Sequence, residues 1–263
     1  MLLSDYKFIV FCGDHYNPLG LVRSLGEKGI KPIVILIKNN HKPVLLNHCK
    51  YISVLHEVGT LEDGYKLLIN KYSHESLKPF LYTCDDKTTG YLDKHYDELS
   101  GCFSFFHGKE KGTITHYMDK NNISKLAEEC GCHIPYGEVL QKGELPQKTH
   151  YPVITKTIMS TVGGWKKDVH ICKNEAELKD AYTNIQAHTL LVEEYIEKKN
   201  ELCLDGFSIN GGEDVCIPYF TSYIRFYKNS YGHYMILKPF EDQIVLNQVK
   251  SILRKVKFEG IFS

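Results

Sequence analysis

The sequence predicts an α/β first part and an α+β second part. Two patterns carry that expectation. Up to about residue 100, short apolar runs alternate with segments of helical period, the signature of a parallel sheet with crossover helices. From Tyr151 onward, strand-like runs follow one another with turn residues between them, the signature of antiparallel pairing. A polar, glycine-containing stretch, Lys109-Glu-Lys-Gly-Thr113, separates the two patterns and sets expected domains at 1–112 and 113–263.

Lys7-Phe-Ile-Val-Phe-Cys12 is a short apolar run and reads as a buried parallel strand. Asn17-Pro18 then offers an N-cap and an N1 proline for a helix lined by Val22 and Leu25, with Gly29 as its stop. Pro32-Ile-Val-Ile-Leu-Ile37 is the second strand and Tyr51-Ile-Ser-Val-Leu55 the third. Tyr65, Leu68, Ile69 and Tyr72 fall on one face of a helix. Pro79-Phe-Leu-Tyr-Thr83 completes a Rossmann-like parallel sheet. The first strand-to-helix loop, Gly13 to Gly20, lacks G-x-G-x-x-G and carries Tyr16 and Pro18 where a phosphate loop needs bare backbone. Lys38-Asn39-Asn40 stands where a dinucleotide site needs an acidic residue, so a plain strand-to-helix turn is favoured and a nicotinamide-dependent oxidoreductase is the third, least supported reading. Asp14, His15, Asp85 and Asp86 sit at carboxyl ends of strands, where a substrate could dock, although each also suits a solvated loop.

In the second part, Asp119 to Gly131 reads as a helix with Ile123, Leu126, Ala127 and Cys130 as its apolar face. An irregular link is expected from Pro135 and Tyr136. Strands follow at Tyr151–Lys156 and Asp168–Cys172, then a helix opened by the capping-box-like pair Asn174 and Glu177. Further strands are expected at 190–196, 202–209, 214–219 and 222–227, with Asn210-Gly211-Gly212 as a hairpin turn. Val245, Val249, Ile252, Leu253 and Val256 mark a last helix, with Glu241 and Asp242 in its first turn.

Composition narrows the function. Lys+Arg and Asp+Glu both number 32, and this zero net charge argues against a general nucleic-acid or membrane-surface binder. No run of about 18 apolar residues is present, so no membrane span is expected. The nine cysteines are odd in number and scattered, which fits a reduced, cytoplasmic protein. Cys130-Gly-Cys132-His133 has no second ligand pair at zinc spacing and reads as free thiols.

The chemistry concentrates after Tyr151. Lys156 ends an apolar strand whose alternation points it away from the packed face, where a lysine meets phosphate as a point charge. Thr161-Val-Gly163-Gly164-Trp165-Lys166 follows, and its glycine pair suits either a backbone flap over an oxyanion or a plain hairpin turn. Glu193-Glu194-Tyr195-Ile196 ends the strand after the helix, where backbone groups can meet an adenine edge. Glu201 can accept from ribose hydroxyls.

On these residues the second part resembles the ATP-grasp superfamily, most of all its carbamoyl-phosphate-synthase-large-chain-like and D-aspartate-ligase-like branch. The resemblance runs over roughly Ile114 to Ser263, behind a Rossmann-like domain of the kind these enzymes usually carry. It rests on Asp119-Lys120 opening a helix, Pro152-Val-Ile-Thr-Lys156, the loop Ser160 to Trp165, Leu191-Val-Glu-Glu-Tyr-Ile196, Glu201, and the terminal Phe258-Glu-Gly-Ile-Phe-Ser263. It implies that Lys120 and Lys156 contact ATP phosphates and that Thr161, Gly163, Gly164 and Trp165 cover them. It implies that Glu193, Glu194, Tyr195 and Ile196 hold adenine and Glu201 the ribose. Arg225 would stabilise the transferring phosphate or an acidic substrate. The implied reaction activates a small, amino-acid-like carboxylate as an acyl phosphate, which an amine then attacks, with Mg2+ bridging phosphate oxygens.

The resemblance also implies an incomplete ATP-grasp domain. In the family, the terminal segment is followed by strands carrying metal-binding carboxylates, whereas this sequence stops at Ser263. Asp205, Glu213 and Asp214 do not match that motif. Two readings stay open: an ATP-dependent carboxylate–amine ligase or a piece of one, and a nucleotide-binding remnant without turnover. An unpaired sheet edge at the missing strand would favour a homodimer.

Overall fold

The computed structural model describes residues 3–38, 45–227 and 231–263. They form two compact units, Met1–Thr115 and His116–Ser263, each with its own core.

The first unit is a parallel sheet of four strands: β1 (Phe8–Gly13), β2 (Ile33–Ile37), β3 (Val54–Val58) and β4 (Phe80–Thr83), in the order β3-β2-β1-β4. Period-2 alternation splits the strands between two cores. Ile9, Phe11, Ile33 and Ile35 pack on one face with Leu68, while Val10, Cys12, Val34 and Leu36 pack on the other with Val22. Its helices are α1 (Tyr16–Glu27), α2 (Leu61–Tyr72), α3 (Asp86–Lys94) and the short α4 (Tyr96–Leu99), and α5 (Thr113–Tyr117) crosses the boundary into the second unit.

Three expectations shift here. Helix α1 begins at Tyr16, so its N-cap is His15, whose ring accepts from Asn17 N–H, and Asn17 lies inside the helix. The third strand is Val54–Val58, because pairing starts where Val54 meets Ile33. Helix α3 follows from Asp85, whose carboxylate caps Thr88 N–H, a cap-and-helix signal the apolar pattern concealed.

The second unit contains α6 (Lys120–Glu129), capped by Asp119, and a four-stranded antiparallel sheet. Its strands are β5 (Gly137–Gln141), β6 (Val153–Thr157), β7 (Ile171–Cys172) and, after α7 (Glu175–Asn184), β8 (Thr189–Glu194), in the order β5-β8-β6-β7. Asn174 caps α7 as its sequence predicts. The stretch after Pro135 is not an irregular link: Gly137 to Gln141 pairs along β8. The expected strand at Asp168–Cys172 shrinks to two residues, because Trp165–Asp168 forms a 3-10 turn.

A second antiparallel sheet comprises β9 (Glu201–Ile209), β10 (Asp214–Tyr227), β11 (Tyr231–Pro239) and, after α8 (Gln243–Val256), β12 (Gly260–Phe262), in the order β11-β10-β9-β12. Two strands expected at 214–219 and 222–227 are one bulged strand, and β11 pairs along it. Asp242 caps α8, and no acid occupies its first turn.

Two carboxylates hold the loops of the first antiparallel sheet. Asp168 is fully buried and accepts from the N–H groups of Gly164, Gln186 and Ala187. Gly163, at φ +72°, lies so close to it that an added Cβ would stand 2.5 Å from the Asp168 carboxylate and 2.7 Å from Ala187 Cβ. Burial pushes the Asp168 pKa up, but the donors from Gln186, Gly164 and Ala187, with His170 nearby, outweigh it and hold the group below its ordinary value. Glu138 accepts from Thr149 Oγ1 and from the N–H groups of Gln147, Lys148 and Thr149. Burial raises its pKa too, yet those bonds bring it down to about 2.

Asp168→Ala is expected to lower the unfolding free energy by about 3 kcal/mol or more, since each buried donor left unsatisfied costs about 1–3 kcal/mol. An unchanged urea midpoint would refute the role. Both folded carboxylates titrate below their unfolded values, so their stabilisation is present at neutral pH and lost on acidification. For Glu138 the loss falls as pH drops from 4.5 to about 2. Glu138→Gln should flatten that part of an acid-denaturation curve followed by circular dichroism.

Candidate functional site

Strand β6 alternates between two environments. Val153, Thr155 and Thr157 are buried, while Ile154 and Lys156 are half-buried on the other face. Thr155 Oγ1 donates to the Asp168 carbonyl and accepts from His170 N–H, which ties the buried face to the turn after the loop. The pairing of β6 with β8 sets Lys156 opposite Leu191 and Ile154 opposite Glu193. Lys156 and Glu193 are therefore diagonal neighbours on one face, and their side chains form an ion pair. Glu193 is 7% exposed and Lys156 33%, so the carboxylate is enclosed while the lysine side chain is one-third in solvent.

Gly137, on β5, lies opposite Glu193. A Cβ there would stand 2.9 Å from the Glu193 Cβ and 3.2 Å from Leu191 Cδ1, so the absent side chain makes room for both. Beside it on the same face, Val139 is 43% exposed. The result is a sheet face on which Ile154, Leu191 and Val139 surround one ion pair, with Val139 exposed and Leu191 buried.

Around this pair the other predicted residues are distributed unevenly. Lys120 N–H donates to the Ile158 carbonyl, which sets the start of α6 beside the loop leaving β6. Thr161 and Gly163 are exposed on that loop. Gly164 N–H is engaged by Asp168, so one of the two backbone donors read as phosphate ligands already holds an anion of the protein's own. The Trp165 side chain lies outside the described residues. Glu194 N–H donates to the Tyr136 carbonyl and Tyr195 N–H to the Pro152 carbonyl. Pro152 has no N–H to return, which ends the ladder there. Ile196 follows at 59% exposure. Glu201 starts β9, is exposed, and pairs with Lys198 at 2.7 Å. Arg225 lies on β10 opposite Tyr234 at a bulge, and its side chain is outside the described residues.

Sequence reasoning missed two carboxylates, Asp168 and Glu138. The first falls at the start of an expected strand, with nothing in the sequence to mark it as an anchor. The second was hidden in a segment taken as a link, although its Gly-Glu-Val-Leu-Gln pattern pairs as a strand. In the first unit, Gly13 N–H donates to Asp85 Oδ2 at 3.1 Å, and His15 Nε2 lies 3.7 Å from the same oxygen. The carboxyl ends of β1 and β4 thus gather Asp14, His15 and Asp85. Burial, then Cys84, Asp85 and Asp14, push the Cys12 thiol far up, which disfavours its thiolate.

Among the described residues, no group of three or more His, Cys, Asp or Glu is arranged to hold a metal ion. Nor is any helix of the described residues long and apolar enough to cross a membrane.

No protein-family model matches the sequence, and no curated protein matches it. Solved structures do. The chain is similar to an L-amino acid ligase from Bacillus licheniformis, with 11% identity and a TM-score of 0.68 over 95% of this chain and 60% of that one. It is similar to the biotin carboxylase domain of a 2-oxoglutarate carboxylase from Hydrogenobacter thermophilus, solved with MgADP, ADP and bicarbonate. There the identity is 16% and the TM-score 0.67, over 97% of this chain and 60% of that one. A D-alanine–D-alanine ligase from Bacillus anthracis matches at 16% identity and a TM-score of 0.58, over 97% of this chain and 80% of that one. The chain spans about 60% of the length of the first two. Its parallel first unit and its two antiparallel sheets together have the fold of the ATP-grasp ligases.

Proposed function

We propose that this chain binds ATP on the open face of the β5-β8-β6-β7 sheet, as part of a carboxylate–amine ligase working through an acyl phosphate. The observation behind this reading is the Lys156–Glu193 pair: a half-buried lysine, held by an enclosed carboxylate, beside a small-residue loop. Lys156 would meet the phosphates as a point charge, joined by Lys120 from the start of α6. Thr161, Gly163, Gly164 and Trp165 would cover them, with Gly164 fixed by Asp168. Adenine would lie against Glu193, Glu194, Tyr195 and Ile196. The N–H groups of Glu194 and Tyr195 are engaged inside the protein, which makes Ile196 N–H the donor offered to the base. Glu201 would take the ribose, releasing Lys198, and Arg225 would face the transferring phosphate or an acidic substrate.

In the proposed reaction, a substrate carboxylate attacks the terminal phosphorus of ATP and ADP leaves. An amine then adds to the acyl phosphate and expels phosphate, giving an amide. Small amino-acid-like carboxylates and amines are the substrate class. The donors present do not make a magnesium site among the described residues, so no step here is assigned to a metal. The alternative reading is a protein that holds nucleotide without turnover. The free state of all nine cysteines supports a reducing, cytoplasmic setting. Self-association through an outer strand, β11 or β12, would give a homodimer.

Calorimetry with ATP tests the site. Lys156→Ala should lower affinity by about tenfold or more, since a hydrogen bond to a charged group is worth about 1.5–3 kcal/mol. Equal affinity in the variant would sink the assignment. The substitution also strands Glu193, and thermal unfolding should show a loss of about 1–2 kcal/mol, tempered because Lys156 is one-third in solvent. Adding Glu193→Gln should recover part of that stability but not the ATP affinity. Phosphate release with amino acids present, measured on this chain and on a version extended beyond Ser263, separates the two readings. Inertness of both would remove the ligase.

A further inference from the structure

The amino ends of β1, β2 and β3 open onto a cavity of about 630 Å³ in the first unit. It lies at the opposite end of the sheet from Gly13 and Asp85. Its floor is apolar, formed by Phe8 and Ile33, each 7% exposed, and Tyr72 at 5%. Its rim carries Lys7, Lys28, Lys31 and Lys71, and no acidic residue lines it. In a chain with equal numbers of acids and bases, that is a marked local imbalance. Lys7 is paired with Glu75, but Lys28, Lys31 and Lys71 have no ion-pair partner among the described residues.

Helix geometry accounts for only part of this. Lys71 lies in the last turn of α2 and Lys28 caps α1, positions where a cation offsets the negative helix end. Lys31 is on no helix. It adds a further ammonium with no dipole or carboxylate to answer. The cavity falls within the range of about 300–1,000 Å³ typical of small-molecule sites, and an apolar floor with a few charged groups is their usual make-up.

We propose that this cavity binds a small organic anion. Its flat apolar body would rest on Phe8, Ile33 and Tyr72, and its carboxylate, sulfonate or phosphate group would sit among Lys28, Lys31 and Lys71. The site is independent of the nucleotide face on the second unit and does not rest on that reading.

The test titrates naphthalene-1-sulfonate and, separately, inorganic phosphate into the intact chain by calorimetry. The sulfonate should bind saturably. Its affinity should fall by about tenfold or more in Lys28→Glu/Lys31→Glu and in the cavity-filling Val54→Trp, with unfolding midpoints near wild type. Lys156→Ala should leave it unchanged. Phosphate, lacking the apolar body, should bind at least about tenfold more weakly. Absence of saturable sulfonate binding overturns the proposal. So does equal affinity in wild type and both cavity variants, or phosphate binding as tightly as the sulfonate.

Discussion

The second unit depends on one buried carboxylate. Asp168 takes N–H donors from the loop after β6 and from the turn between α7 and β8. Those segments flank the strands that carry Lys156 and Glu193, so the carboxylate ties together the loops on either side of the ion pair. Its charge is enclosed with three backbone donors, and these dipoles, with a smaller contribution from His170, meet its desolvation cost. A glycine at position 163 is a consequence of that crowding, since any Cβ would enter the space the carboxylate occupies.

The Lys156–Glu193 pair is arranged asymmetrically on this frame. Glu193 is nearly closed off by Leu191, Gly137 and its own strand neighbours, while Lys156 keeps a third of its side chain in water. Such a pair contributes little net stability, because desolvation offsets much of the attraction. What it provides is orientation: the enclosed carboxylate holds the lysine in one direction. This ties the packing of the sheet to the electrostatics of that face.

Much of the fold was legible from periodicity. The parallel sheet, the helix stops at Gly29 and Gly131 and the capped helix α7 all follow from apolar spacing and cap residues. What escaped was set by long-range pairing. Strand β5 is recognisable only once β8 lies beside it, because Pro135 and Tyr136 read locally as the start of a link. The bulge that joins two expected strands into β10 is likewise fixed by its partners β9 and β11. At the site, the sequence marked Lys156 and Glu193 separately but not their contact, which requires the diagonal register of β6 and β8. Asp168 and Glu138 were illegible for a different reason. Their partners are backbone N–H groups, which every residue but proline has and no sequence pattern advertises.

That choice of partner has an evolutionary consequence. Glu138 grips Gln147, Lys148 and Thr149 through three main-chain amides and only one side chain. The identities at 147 and 148 are then unconstrained by this anchor, save that neither can be proline. One acidic position carries the specification of a whole bend, and the bend itself is free to drift. Related chains should hold an acid at the place of Glu138 while the segment it grips varies widely, and a designer could rewrite that segment's surface without loosening it.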